Sequence, residues 1–199
     1  MEVINSARFE LPAVYVGFLA PGIAAVGSLL NLILLVTIIR SSRHRFTNTL
    51  LIAIQAICEI SLLLAGLLYA FSALNQESMS RTTCFWRSLS TQISLHVILA
   101  MFPIIAIDRL ISIKYPVWHK HFGRNVFYMV FLVFVPAIYS IGTTVLVWND
   151  LNDDPMVCHF VDVSNGFAKK FWSAGHSLIA ILTLAFYVML RREWSIRRK

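Results

Sequence analysis

Apolar side chains run along this chain in long stretches separated by short charged clusters. Between Glu10 and Arg40 lie 29 residues without a charge, and between Arg45 and Glu77 the only charge is Glu59. Arg87 to Asp108 encloses 20 uncharged residues, Arg124 to Asp150 encloses 25, and Lys170 to Arg191 encloses 20. A bilayer core of roughly 30 Å is crossed by about 20 apolar residues in helix. Barrel strands would alternate at a period of two, and runs such as Leu178-Ile179-Ala180-Ile181-Leu182 do not. The pattern predicts five transmembrane helices over approximately 12–39, 48–74, 84–109, 125–149 and 171–190, in one domain covering 1–199. The fold class is an all-α integral membrane bundle.

Composition agrees. Of the 199 residues, 58% are hydrophobic and 14% are charged, against roughly 25% charged in soluble domains. Mean hydropathy is +0.71. A cytosolic enzyme or a nucleic-acid module is excluded on these grounds. The net charge of +7 is explained by topology. Twelve of the 17 basic residues fall on one side of the spans: Arg40, Arg43, Arg45, Arg109, Lys114, Lys120, Arg124, Arg191, Arg192, Arg197, Arg198 and Lys199. The opposite side carries five basic residues (Arg8, Arg81, Arg87, Lys169 and Lys170) and seven of the ten acids. Short cytoplasmic loops collect lysine and arginine. The amino end is therefore expected outside, at a plasma membrane, and the tail inside against anionic lipid. The first apolar stretch is too long for a signal-peptide core of roughly 7–15 residues and is expected to stay as a span.

Polar residues inside spans are costly, so they carry information about function. Asn31 in the first span and Glu59 in the second are placed to meet at similar depth. In the third span Ser88, Ser90, Thr91, Gln92, Ser94 and His96 fill the outer half, whereas Val97 to Ile107 has no polar side chain. On the fifth, Ser173, His176 and Ser177 recur at i, i+3 and i+4. Either histidine alone reads as an interhelical hydrogen bond. Two polar stripes in outer halves read together as a ligand pocket of Ser88, Thr91, Gln92, Ser94, His96, Ser173, His176 and Ser177. The three cysteines and the histidines lack metal-ligand spacing, so no metal and no cofactor are expected. Neither a nucleophile–base pair nor a glycine-rich phosphate loop is present, and no enzyme is expected.

At Asp108-Arg109-Leu110 a pattern emerges. The spacing Cys84…Asp108-Arg109-Leu110…Pro116 resembles the third helix and second inner loop of rhodopsin-like G-protein-coupled receptors. Asn31 looks like that family's first-helix asparagine, and Glu59 stands where it has an aspartate. The run Ile107 to His119 (IDRLISIKYPVWH) is similar to nematode serpentine chemoreceptors of the Srsx class. The resemblance implies a seven-helix receptor architecture and a Cys84–Cys158 disulfide. It also implies a small extracellular ligand, and a heterotrimeric G protein contacted through Asp108, Arg109, Leu110 and Pro116. Asp108 is expected to hold Arg109 at rest. Leu110 replaces the usual tyrosine of the triplet, and the chain ends at Lys199, before helices six and seven. The expectation is therefore a chemosensory receptor that does not signal through these five helices alone. The rivals are a five-span transporter or channel subunit using Glu59, and a non-signalling fragment that joins a receptor oligomer.

Overall fold

The computed structural model describes residues 19–40, 46–74, 78–123, 125–158, 163–164 and 166–197. Among them run six helices: α1 (Ala20–Arg40), α2 (Phe46–Leu74), α3 (Arg81–Lys114), α4 (Pro116–Phe122), α5 (Val126–Asn149) and α6 (Gly166–Arg197). Strands β1 (Ser78–Ser80) and β2 (Pro155–Val157) pair antiparallel, with Met79 opposite Met156. Five helices, α1, α2, α3, α5 and α6, are long and apolar enough to cross a membrane. The first part of the expected first span, 12–18, lies outside the described residues, as do Arg8, Arg43, Arg45, Arg124, Arg198 and Lys199.

The third span, α3, is the hub. It packs on α2, α5 and α6 and also touches α4 and β1, while α1 leans on α2. Buried side chains concentrate along it accordingly, from Cys84 to Asp108. Large apolar side chains elsewhere face outward, among them Leu30, Phe127 and Ile181. So much exposed apolar surface is untenable in water and natural in lipid. The fold is a helical membrane bundle.

Helix ends follow local chemistry. Ser80 caps α3, its hydroxyl accepting from the Thr83 N–H at 3.3 Å. Pro116 stops that helix, because a proline disfavours α geometry in the residue before it. Tyr115 accordingly sits at φ −130°, and Pro116 opens α4 at its first turn. Asn125 caps α5 by accepting from the Phe127 N–H at 2.9 Å. At the far end of α5, Asp150 Oδ2 accepts from the Ala168 N–H at 3.1 Å. Gly166 makes that approach feasible: its φ is +48°, and a Cβ there would stand 2.8 Å from Asp150 Oδ2.

Cys84 and Cys158 form a disulfide. It pins the segment after α5 onto the start of α3, in a small core with Phe85, Val147, Val163 and Ala168. The Thr82 hydroxyl adds a bond to Asp153 at 2.8 Å. Cys58 is free. At the opposite end the Arg197 guanidinium donates to the Lys114 carbonyl at 2.9 Å, tying the end of α6 to the end of α3.

Candidate ligand cluster and inner-end contacts

The buried polar residues of α3 divide into two groups by depth. Nearer the disulfide, the Gln92 amide donates to the Ser88 hydroxyl at 3.1 Å, and Ser88 donates to the Phe85 carbonyl at 3.1 Å. Thr91 and Ser94 are buried on the same helix. One turn deeper, His96 is 1% exposed and faces α5 and α6. Its Nδ1 lies 2.9 Å from Thr143 Oγ1. That hydroxyl is also within 2.9 Å of the Tyr139 and Ser140 carbonyls of its own helix. A hydroxyl has one proton to give, and the two carbonyls compete for it. Thr143 therefore accepts from His96 Nδ1–H, and in the neutral ring Nε2 is left as an acceptor.

That Nε2 has no hydrogen-bond partner among the described residues, and neither has the Tyr139 hydroxyl or His176 Nε2. The three rings stand together: His96 to His176 is 5.8 Å between centroids, and His96 to Tyr139 is 6.0 Å. Gly175 lets the tyrosine reach α6, since a Cβ there would stand 3.0 Å from the hydroxyl oxygen. Trp172 also packs on His176, with ring centroids 4.1 Å apart. Almost every buried polar side chain in a folded protein has a partner. Three unpartnered groups thus stand in one cluster within membrane-spanning helices, which makes it the candidate site.

The eight residues expected in a pocket are thus only partly gathered. Ser88, Thr91, Gln92, Ser94 and His96 are buried on α3, and His176 meets His96 from α6. Ser173 and Ser177 are exposed, with the Ser177 hydroxyl turned back to the Ser173 carbonyl at 3.0 Å. Consecutive helical residues are 100° apart, so Ser177 points well away from His176. Tyr139 and Thr143 were not among the expected residues. The signal for them was the polar stripe Tyr139, Ser140, Thr143 and Thr144 in the fourth span. Glu59 accepts from Gln55 at 2.9 Å within its own helix, and among the described residues no hydrogen bond joins it to Asn31.

The inner end corrects a further expectation. Asp108 does not hold Arg109. Its Oδ1 accepts from the Tyr128 hydroxyl of α5 at 2.8 Å and lies 3.0 Å from His119 Nε2 of α4. Among the described residues no ion pair joins Asp108 to Arg109, and Asp108 Oδ2 is buried without a partner. Neighbours in sequence do not face each other on a helix. The buried carboxylate turns into the bundle, while Arg109 and Leu110 are half-buried at its edge. Pro116 lies at the exposed first turn of α4. Asp108 therefore fixes α4 beneath the bundle.

Five apolar spans around a central third helix, strapped at one end by a disulfide, define a multi-pass helical membrane protein. The family model described as serpentine type 7TM GPCR chemoreceptor Srsx matches residues 24–198. The chain belongs to that family. It is a receptor family and not an enzyme family, whose partners in general are a G protein and a small ligand. Among curated proteins none matches the chain.

Proposed function

We propose that residues 1–199 form one receptor domain of a chemosensory receptor in the plasma membrane. The disulfide end faces outside and the α4 end faces the cytoplasm. A disulfide belongs in an oxidising compartment, and the basic residues gather at the other end, which supports this orientation. A small uncharged molecule binds at His96, Tyr139 and His176, with Ser88, Thr91, Gln92 and Ser94 on the approach from outside. The observation that carries this reading is the cluster of three unpartnered polar groups. Its ligand donates to His96 Nε2 from a hydroxyl or N–H and accepts from the Tyr139 hydroxyl. At the inner end, Arg109 and Leu110, with Pro116 on an α4 held by Asp108, present the surface a G protein contacts.

The test is a thermal-shift screen of the purified chain in nanodiscs against small alcohols, phenols and amides. A ligand at one hundred times its Kd stabilises by about 2.7 kcal/mol, roughly 5–10 °C for a chain of this size. Compounds that raise Tm are expected to lose most of that effect on His176→Ala. Hits that act equally on wild type and His176→Ala would defeat the proposal.

A further inference from the structure

The His96–His176 pair has a capacity beyond hydrogen bonding to an organic molecule. Both Nε2 atoms are buried and without a partner among the described residues. The His96 ring is held from its other nitrogen, since Nδ1 lies 2.9 Å from Thr143 Oγ1. Such a bond fixes the tautomer and aims the opposite nitrogen, which is how proteins orient histidines that ligate metals. A neutral imidazole has one lone pair to offer, and in His96 it is on Nε2. The expectation of no metal came from spacing along the chain, whereas these two histidines meet only through folding, from α3 and α6.

Separation decides which ion fits between them. A metal–nitrogen bond is about 2 Å, and the ring centre lies about 1 Å further on, so two imidazole centroids on one ion stand about 5 Å apart at a tetrahedral angle and about 6 Å apart in line. The observed 5.8 Å is close to the linear limit. Donor number agrees: among the described residues no three His, Cys, Asp or Glu side chains gather into a metal set. Structural zinc takes four ligands. Charge agrees as well. Of the acids within the spans, Glu59 is bonded to Gln55 on α2, and Asp108 is bonded to Tyr128 and His119 at the inner end. Net charge inside the bilayer is costly, so an ion of one charge is favoured over an ion of two.

We propose that His96 and His176 form a two-coordinate site for a soft monovalent ion, copper(I) in chemical class. Imidazole suits copper, and two nearly opposed nitrogens are a sufficient donor set for it. The Tyr139 hydroxyl is a weak third donor, for it too lacks a partner and stands against Gly175, the residue before His176. The ion excludes the organic ligand proposed for the same nitrogens but does not depend on one.

Silver(I) is the probe, a monovalent ion of the same ligand preference that keeps its oxidation state. It is titrated into the full chain in nanodiscs, with Cys58→Ser removing the free thiol as a competitor. Equilibrium dialysis measures uptake, and nitrogen-15 NMR of labelled histidines locates it. The Nε2 resonances of His96 and His176 are expected to shift together, while His96 Nδ1 stays bonded to Thr143. His176→Gln should weaken uptake by roughly a hundredfold, the upper end of what losing even an orienting partner costs a metal site. His121→Gln, exposed on α4, should leave it unchanged, and zinc(II) at equal concentration should not displace silver. Displacement by zinc would overturn the proposal, as would silver that moves only one Nε2 resonance or neither. The NMR and the zinc competition, both on the chain with its histidines intact, decide the matter even if His176→Gln does not fold. A stabilising organic compound in a chain that ignores silver would sink the metal site alone, and silver uptake without any such compound would sink the organic ligand alone.

Discussion

Replacing Tyr139 with phenylalanine removes one oxygen atom from the middle of the bundle and leaves the ring against His96, 6.0 Å between centroids. In most buried sites that deletion costs a hydrogen bond. Here the hydroxyl has no partner among the described residues, so the usual sign reverses. A buried polar group left unsatisfied carries a desolvation penalty of about 1–3 kcal/mol. Tyr139→Phe recovers part of it, and the lower end of the range is the safer expectation because Tyr139 is only half-buried. For a chain of 150–250 residues, 1 kcal/mol moves Tm by roughly 2–4 °C. Thermal unfolding of ligand-free wild type and variant in the same nanodiscs should show an increase of about 2–4 °C for Tyr139→Phe. A compound that stabilises the wild type should bind the variant more weakly, since its acceptor has lost a donor worth about 0.5–1.5 kcal/mol, roughly two- to tenfold in Kd. Stability up and affinity down is the signature of a polar group kept for recognition. A fall in Tm of more than about 2 °C would refute the reasoning, because it would mean that the hydroxyl is already satisfied within the protein.

Other expectations follow from the two ends of the bundle. Cys84→Ser opens a loop of sequence separation 74 and should destabilise by up to about 4 kcal/mol in the chain-entropy picture, less because the bilayer already restrains the unfolded chain; chemical unfolding in micelles measures it, and an unchanged midpoint would contradict it. Asp108→Ala strands the Tyr128 hydroxyl and His119 and should cost about 2–3 kcal/mol. Asp108→Asn keeps an acceptor for them and should cost less than about 1 kcal/mol; equal losses in thermal scans would show that the charge itself matters. Epitope tags at both ends should be read from outside at the amino end and only after permeabilisation at the carboxyl end. Surface staining of the tail in intact cells would reverse the proposed orientation.

The spans were legible because charge-free length is a direct consequence of bilayer thickness. Their ends were not. The third was expected over 84–109 and runs from Arg81 to Lys114, and the fifth was expected over 171–190 and runs from Gly166 to Arg197. Helices continue past the hydrocarbon into water, where charged residues sit comfortably, and hydropathy reads only the lipid-facing part. Family spacing pointed to Cys84 with Cys158. It also misdirected the reading of Asp108: a sequence motif puts two residues side by side, whereas the helix points them apart, and the true partners Tyr128 and His119 lie 20 and 11 residues away. His96 and His176 were legible as polar intrusions in apolar runs. Tyr139 was overlooked although it opens a polar stripe with Ser140, Thr143 and Thr144, because an aromatic ring in an apolar span reads as packing and its place beside His176 depends on Gly175 leaving room on another helix. Ser173 and Ser177 were read as pocket residues from spacing alone, which shows that i, i+3, i+4 defines an arc too wide to name a single facing side chain.

The central claim is that His96 and His176 together receive the ligand. The most direct measurement is nitrogen-15 NMR of the histidine-labelled chain, recorded with and without a compound that raises its Tm. The account predicts that the Nε2 resonances of His96 and His176 both move on binding, while His96 Nδ1, already engaged by Thr143, and His119 stay in place. A stabilising compound that leaves both Nε2 resonances unmoved would contradict it.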